Sequence, residues 1–205
     1  NVVNQFGSDK IIKDIEVEPP PSNIIIAKSC SLKDVRDAIK KANVGDTVIV
    51  PNGTARWTST LIIEKGVILK AATPGGVKII NDTPVSSQWG YGDPSNFVIA
   101  YVPSDATTGQ PFRLSGFVID GGGQRWTFMG KTGSKTLAIN QFRLDHCTFQ
   151  NGYDNDGLVF YGEIYGVIDN CILYGVAREF AYNETTWSNF NFAYGTGNNR
   201  YYEDN

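Results

Sequence analysis

One histidine, one methionine and three cysteines are all that this 205-residue chain holds of several side chains that commonly carry nucleophilic, redox or soft-metal chemistry. The single histidine, His146, rules out any site built on two imidazoles, and no serine or cysteine stands at a spacing that suits a nucleophilic triad. Three cysteines are too few for the dense, even-numbered framework of a small disulfide scaffold. Long apolar runs are missing too. Ile11-Ile12 and Ile24-Ile25-Ile26 fall far short of the roughly 18 residues a membrane-spanning helix needs, so no membrane insertion is expected. Charge of one sign is equally scarce: 18 Lys and Arg stand against 21 Asp and Glu, for a net charge of -3 and no basic run. Nucleic acid and anionic bilayers are thereby disfavoured as partners.

What the chain does have is a repeat. Phe112-Arg-Leu-Ser-Gly-Phe-Val-Ile119, Phe142-Arg-Leu-Asp-His-Cys-Thr-Phe149 and Gly166-Val-Ile-Asp-Asn-Cys-Ile-Leu173 align at offsets of 30 and 24 residues. Leu114, Leu144 and Ile168 fall in one column, Phe117, Cys147 and Cys171 in a second, and Ile119, Phe149 and Leu173 in a third, as in a solenoid. Tyr202-Glu203-Asp204-Asn205 matches Ile168-Asp169-Asn170-Cys171, so a fourth copy begins where the chain stops. Within each copy two inward residues alternate, a corner follows at the Asp145-His146 position, and two more inward residues alternate again. That interruption recurs at one place in every copy. It fits an all-β parallel β-helix better than a sandwich, which would need hairpins at regular spacing. Cys147 and Cys171 should then stack inward at roughly 4.8 Å, the strand spacing, which is wider than the roughly 3.5 to 4.5 Å between bridged Cβ atoms. Unbridged thiols are expected.

Residues 1 to 22 are polar and end in Pro19-Pro20-Pro21, which favours an extended linker or docking arm. Residues 23 to 205 then form one β-helix domain. Its start is a helix: Ser31 is the N-cap with Asp34 three residues on, and Leu32, Val35, Ala38, Ile39 and Ala42 make an apolar stripe before Asn43 to Gly45 stop it. Such a helix would cap the open end of the solenoid. Strands are expected at Thr47 to Val50, Thr60 to Ile63, Val67 to Leu69, Val77 to Ile80 and Phe97 to Tyr101. Turns separate them at Pro51-Asn52-Gly53, Pro74-Gly75-Gly76 and Gly121-Gly122-Gly123. The stretches Ser86 to Gly92 and Ala177 to Asn199 are too long for corners and should project.

The helix followed by Gly45-Asp-Thr-Val-Ile-Val-Pro-Asn-Gly-Thr54 resembles the entry into the first coil of the pectate-lyase-like superfamily of right-handed parallel β-helices. Arg143-Leu-Asp-His-Cys147 is similar to the Trp-Ile-Asp-His stretch of pectate lyases, in which the Asp helps to hold calcium; the resemblance would make Asp145 a calcium ligand. The family's catalytic Arg-x-Pro segment occurs nowhere, and neither does the Gly-His-Gly of polygalacturonases.

Stacking the copies puts Asp145, Asp169 and Glu203 in one outward column. Carboxylates at strand spacing repel, and three remedies are open: a bound calcium, a raised pKa on the middle group that could serve acid or base catalysis, or a nearby cation. Arg143, two residues before Asp145 on the same face, is that cation, in a surface ion pair. Arg178 could reach the same groove. Trp126, Trp187 and Tyr194 are candidates for stacking on sugar rings, although aromatics also pack long loops onto a solenoid wall. Asn151 to Gly157 fails as an EF-hand loop, because Gly152 would stand where the first carboxylate belongs. Asn52, Asn81 and Asn183 each begin an Asn-x-Thr acceptor motif.

The expectation is a secreted or cell-surface β-helix that binds extracellular polysaccharide through Arg143, Asp145, Asp169, Glu203 and Arg178. Whether it is also an enzyme, of the polysaccharide lyase or glycoside hydrolase kind, stays open. The alternative is a structural subunit of a filament, surface fibre or phage tail that associates head to tail.

Overall fold

The computed structural model describes residues 23–83, 90, 92–132, 138–162, 164–174, 178–182 and 200–203. The Pro-rich arm, Trp187, Tyr194, Asn183 and Asn205 lie outside them. Among the described residues there is one α-helix, α1 (Leu32–Lys41), and the remaining regular structure is almost all strand. Ser31 caps α1 as the sequence implies: its side chain accepts a hydrogen bond from the Asp34 amide at 3.2 Å. Val35, Ala38 and Ile39 are the buried stripe, and the helix packs against the first strands of the domain.

Those strands make three sheets, every pairing parallel. The first sheet holds, in spatial order, β1 (Ile24–Ile26), β2 (Thr47–Val50), β5 (Ile68–Ala71), β8 (Phe112–Ser115), β11 (Ile139–Asp145), β14 (Ile164–Asp169) and β17 (Arg200–Glu203). The second holds β3 (Gly53–Trp57), β6 (Val77–Asn81), β9 (Phe117–Asp120), β12 (Thr148–Gln150) and β15 (Ile172–Tyr174). The third holds β4 (Leu61–Ile63), β7 (Phe97–Tyr101), β10 (Trp126–Lys131), β13 (Asp156–Tyr161) and β16 (Arg178–Tyr182). From β2 onward the chain visits the three sheets in strict rotation, and each strand pairs with its counterpart one circuit earlier and one circuit later. Parallel neighbours cannot be joined by a tight hairpin, and here the other two sheets provide the return path.

Register follows the repeat. Leu69, Leu114, Leu144 and Ile168 pair in succession and are fully buried. Ile79, Ile119 and Phe149 form a second such column, and Leu61, Ile99, Phe128 and Leu158 a third. Phe128 lies 6.1 Å from Phe112 and 5.9 Å from Phe142, ring centre to ring centre, so aromatic contacts tie the first sheet to the third through the interior. Cys147 and Cys171 are both buried and are not joined in a disulfide.

The corner between the first and second sheets repeats as well. Gly116, His146 and Asn170 hold it in successive circuits, with φ of 81°, 53° and 51°. Glycine adopts this left-handed conformation without strain, and Asn and His are among the side chains that tolerate it best.

Two expectations change. Ala177 to Asn199 does not project throughout, because its residues Arg178–Tyr182 pair with β13 as β16. Trp126, a candidate for stacking on a sugar ring, belongs to strand β10.

Leu144→Ala should lower unfolding free energy by about 2 to 5 kcal/mol, since Leu144 is fully buried in a column with no space to collapse. Urea unfolding followed by far-ultraviolet circular dichroism measures this.

Candidate functional site

Strands β8, β11 and β14 turn the same register positions outward in each circuit. Arg113, Arg143 and Val167 pair in one column; Ser115, Asp145, Asp169 and Glu203 pair in the next, two residues on. The carboxylate column is therefore as the repeat implies, but the side chains of Asp145 and Asp169 are not solvated. Asp145 is fully buried, and the Asp169 side chain is 7% exposed.

Two arginines make this burial tolerable. Arg113 holds Asp145 in a bidentate pair, Nε to Oδ1 at 2.6 Å and Nη2 to Oδ2 at 2.8 Å. Arg143 holds Asp169 in the same geometry one circuit on, at 3.0 and 2.8 Å. Each guanidinium thus reaches diagonally to the carboxylate of the following circuit. The fork of an arginine matches the two oxygens of a carboxylate, which lysine could not do. Asp145 Oδ2 also accepts from Ser115 Oγ at 2.8 Å and lies 2.9 Å from His146 Nδ1; Asp169 Oδ2 accepts from Asn170 Nδ2 at 3.1 Å. Arg143 Nε remains 3.7 Å from Asp145 Oδ1, so the pair expected within one repeat is the secondary contact, and the principal one crosses to the next.

These contacts decide the titration. Burial by itself would raise the Asp145 carboxyl, but hydrogen bonds from Arg113, His146 and Ser115 outweigh it and bring its pKa down to about 2. Asp169 is also lowered, chiefly by its hydrogen bonds from Arg143. The middle carboxylate of the column is therefore not raised, and neither group carries a proton to give near neutral pH.

Calcium fits these donors poorly. Both oxygens of Asp145 and both of Asp169 are occupied by nitrogen or hydroxyl donors, and a divalent cation would sit beside two guanidinium charges. Among the described residues no group of three or more His, Cys, Asp and Glu is arranged around a metal position. For Glu203 only the strand position is described, paired with Asp169.

Beside the ladder runs an open groove of about 530 Å³ across β8, β11 and β14. Arg113, Asn140, Gln141, Arg143 and Tyr165 give it polar groups, while Pro111, Phe112 and Val167 supply apolar floor. Gln141 donates to the Gly109 carbonyl at 3.1 Å, and among the described residues no Asp or Glu lines the groove. Arg113, Ser115 and the groove amides are what sequence reasoning missed. The alignment already set Arg113 above Arg143; the signal was there, but it lies across copies and not within one.

The remaining candidates fall elsewhere. Arg178 begins β16 of the third sheet, whereas Arg143, Asp145 and Asp169 belong to the first, so the topology does not bring them into one sheet. Trp126 is 2% exposed, packed 5.2 Å from the Phe97 ring and 5.9 Å from Tyr153 in a second apolar cluster. Its faces are covered by protein and present no surface to a sugar.

Because the Asp145 pKa is lower in the folded chain than in the unfolded one, its stabilisation is present above about pH 4 and lost as pH falls towards 2. The stability gap between the wild type and Asp145→Asn should narrow by about 2 kcal/mol over that range, read from urea midpoints at successive pH values. Arg113→Met, which strands the buried carboxylate, should cost about 3 kcal/mol at neutral pH, the low end for a broken buried pair because Arg113 is partly exposed. Adding Asp145→Leu should restore much of that loss.

Comparison of the chain with protein-family models, with curated proteins and with solved structures finds no match.

Proposed function

We propose that this chain is a right-handed parallel β-helix, similar in fold to the pectate-lyase-like superfamily, and that the outer face of its first sheet binds an extracellular polysaccharide without cleaving it. The carrying observation is the groove across β8, β11 and β14, in which Arg113 and Arg143 hold equivalent positions on two successive circuits beside the amides of Asn140 and Gln141 and the ring of Tyr165. Successive strands repeat at roughly 4.8 Å, so the two guanidinium groups would offer a polymer a pair of donors at that spacing. Aromatic and amide groups are common means of holding sugar faces and hydroxyls.

Binding is favoured over catalysis by what the carboxylates are doing. A glycoside hydrolase of the usual kind needs two carboxyl groups free to exchange protons or attack. Asp145 and Asp169 are locked in bidentate pairs, and no acid lines the groove among the described residues. A calcium-assisted lyase reaction has no fitting donor set at the same position. Secretion or surface display follows from this reading as the place where such a ligand would be met.

Affinity electrophoresis through gels containing neutral or uronate-rich plant and bacterial polysaccharides tests the proposal. Retardation in at least one gel, weakened about tenfold or more by combining Gln141→Ala with Tyr165→Ala, is expected, corresponding to about 1.4 kcal/mol or more. Both substitutions leave the arginine–aspartate pairs intact. Unchanged mobility in every gel would overturn the reading.

A further inference from the structure

The Asn-x-Thr motifs at Asn52 and Asn81 are chemically equivalent in sequence but not in structure. Asn52 is exposed at the corner between β2 and β3. Its Oδ1 accepts from the Thr73 amide at 3.2 Å and from Thr73 Oγ1 at 3.1 Å, contacts made to the equivalent corner of the next circuit. Its Nδ2 makes no hydrogen bond among the described residues. Thr54, the third residue of the motif, is exposed on β3. The Asn52 oxygen is anchored to the protein, and both Asn52 and Thr54 are exposed residues.

Asn81 is the reverse. It ends β6 and is only 8% exposed. Its side chain closes a local ring with Thr83, accepting from the Thr83 amide at 3.2 Å and donating Nδ2 to the Thr83 carbonyl at 3.4 Å. The next corner presses against it: a β-carbon built on Gly122 would stand 3.3 Å from the Asn81 carbonyl oxygen and 3.9 Å from Nδ2. A saccharide attached to that nitrogen would have to displace the Gly121-Gly122-Gly123 turn.

We infer that Asn52 is an acceptor site for an N-linked oligosaccharide and that Asn81 is not occupied in the folded protein. The donor is a lipid-linked oligosaccharide pyrophosphate. Asn52 Nδ2 forms a bond to C1 of the first sugar, the bond from C1 to the pyrophosphate oxygen breaks, the amide loses one proton to the transferase base, and the lipid pyrophosphate leaves. Transfer commonly precedes folding, so either motif can meet the enzyme. The structure then discriminates: a glycan on Asn52 extends into solvent, whereas one on Asn81 obstructs the turn that must close over it. The inference rests on the reading of this protein as an exported one.

The test is expression of the full chain behind a secretion leader in a eukaryotic cell, with glycopeptide mass spectrometry of the secreted protein before and after peptide N-glycosidase. Glycan on the Asn52 peptide and an unmodified Asn81 peptide are expected, with the band shift at Asn52 abolished by Asn52→Gln and unaffected by Asn81→Gln. Secreted protein that carries glycan at Asn81, or none at Asn52, would overturn the inference. Because the leader is supplied, that failure would be separate from a failure of polysaccharide binding, which the gel assay reads independently.

Discussion

A fully buried carboxylate, that of Asp145, sets the terms for the flank of this molecule. Moving such a group out of water costs several kcal/mol unless charge and hydrogen bonds replace the water it loses. Here the replacement comes from two circuits at once: Arg113 and Ser115 from the preceding one, His146 from the corner that follows. None of these can shift by a residue without stranding the charge. The Gly116 amide, which donates to the Asp145 carbonyl at 3.0 Å, fastens the backbone at the same point.

That constraint supplies what the apolar columns cannot. Side chains alternate with a period of two along a strand, so a one-residue slip would expose Leu144, whereas a two-residue slip in one direction would put Phe142, also inward and buried, at the position of Leu144. Hydrophobicity opposes a two-residue slip only through the one polar residue it brings inward, Asn140 or His146 according to its direction. The same slip would carry Asp145 away from the guanidinium of Arg113, and Asp169 away from that of Arg143. The corner adds a second check, because only Gly116, His146 and Asn170 are left-handed there, and the neighbouring buried residues are poorly suited to that conformation. Close packing supplies a third: a β-carbon on Gly166 would stand 2.1 Å from the Phe142 carbonyl oxygen, so β14 approaches β11 there only because that residue has no side chain.

The parts of this arrangement that the sequence makes legible are those with a repeating signal. Aligned copies reveal the interior columns, the corner and the outward carboxylates, and the Ser31 cap marks the helix start. The third sheet is harder to read. From Trp126 to Gly130 every residue of β10 is buried, and Leu158 to Tyr161 of β13 likewise, because a second apolar cluster covers the outer face of that sheet. Strands buried on both faces lose the alternation by which strands are recognised. Trp126 therefore looks in sequence like an aromatic available to a ligand, while in the fold it packs between Phe97 and Tyr153. The ion pairs escape for another reason. Arg143 and Asp145 are neighbours within one copy, which invites pairing them, yet the bidentate geometry requires the carboxylate one strand over and two residues on.

Under the proposed function, the ladder would bear on ligand binding in a way its own electrostatics does not suggest. Each arginine is neutralised by its aspartate, so the groove has little net charge with which to draw in a polyanion. An arginine side chain, however, ordinarily loses about 2 kcal/mol of rotamer freedom when it is fixed. For Arg113 and Arg143 that loss is incurred on folding, through contacts with carboxylates that are themselves immobile. Their guanidinium planes border the groove already oriented, and in Arg113 the carboxylate uses Nε and Nη2, leaving Nη1 outside the pair. Preorganised donors lose less entropy on binding than mobile ones. On the proposed polysaccharide-binding reading, the buried pairs would serve recognition by fixing direction, which would suit a polymer whose hydroxyls present a regular pattern and need geometry more than charge.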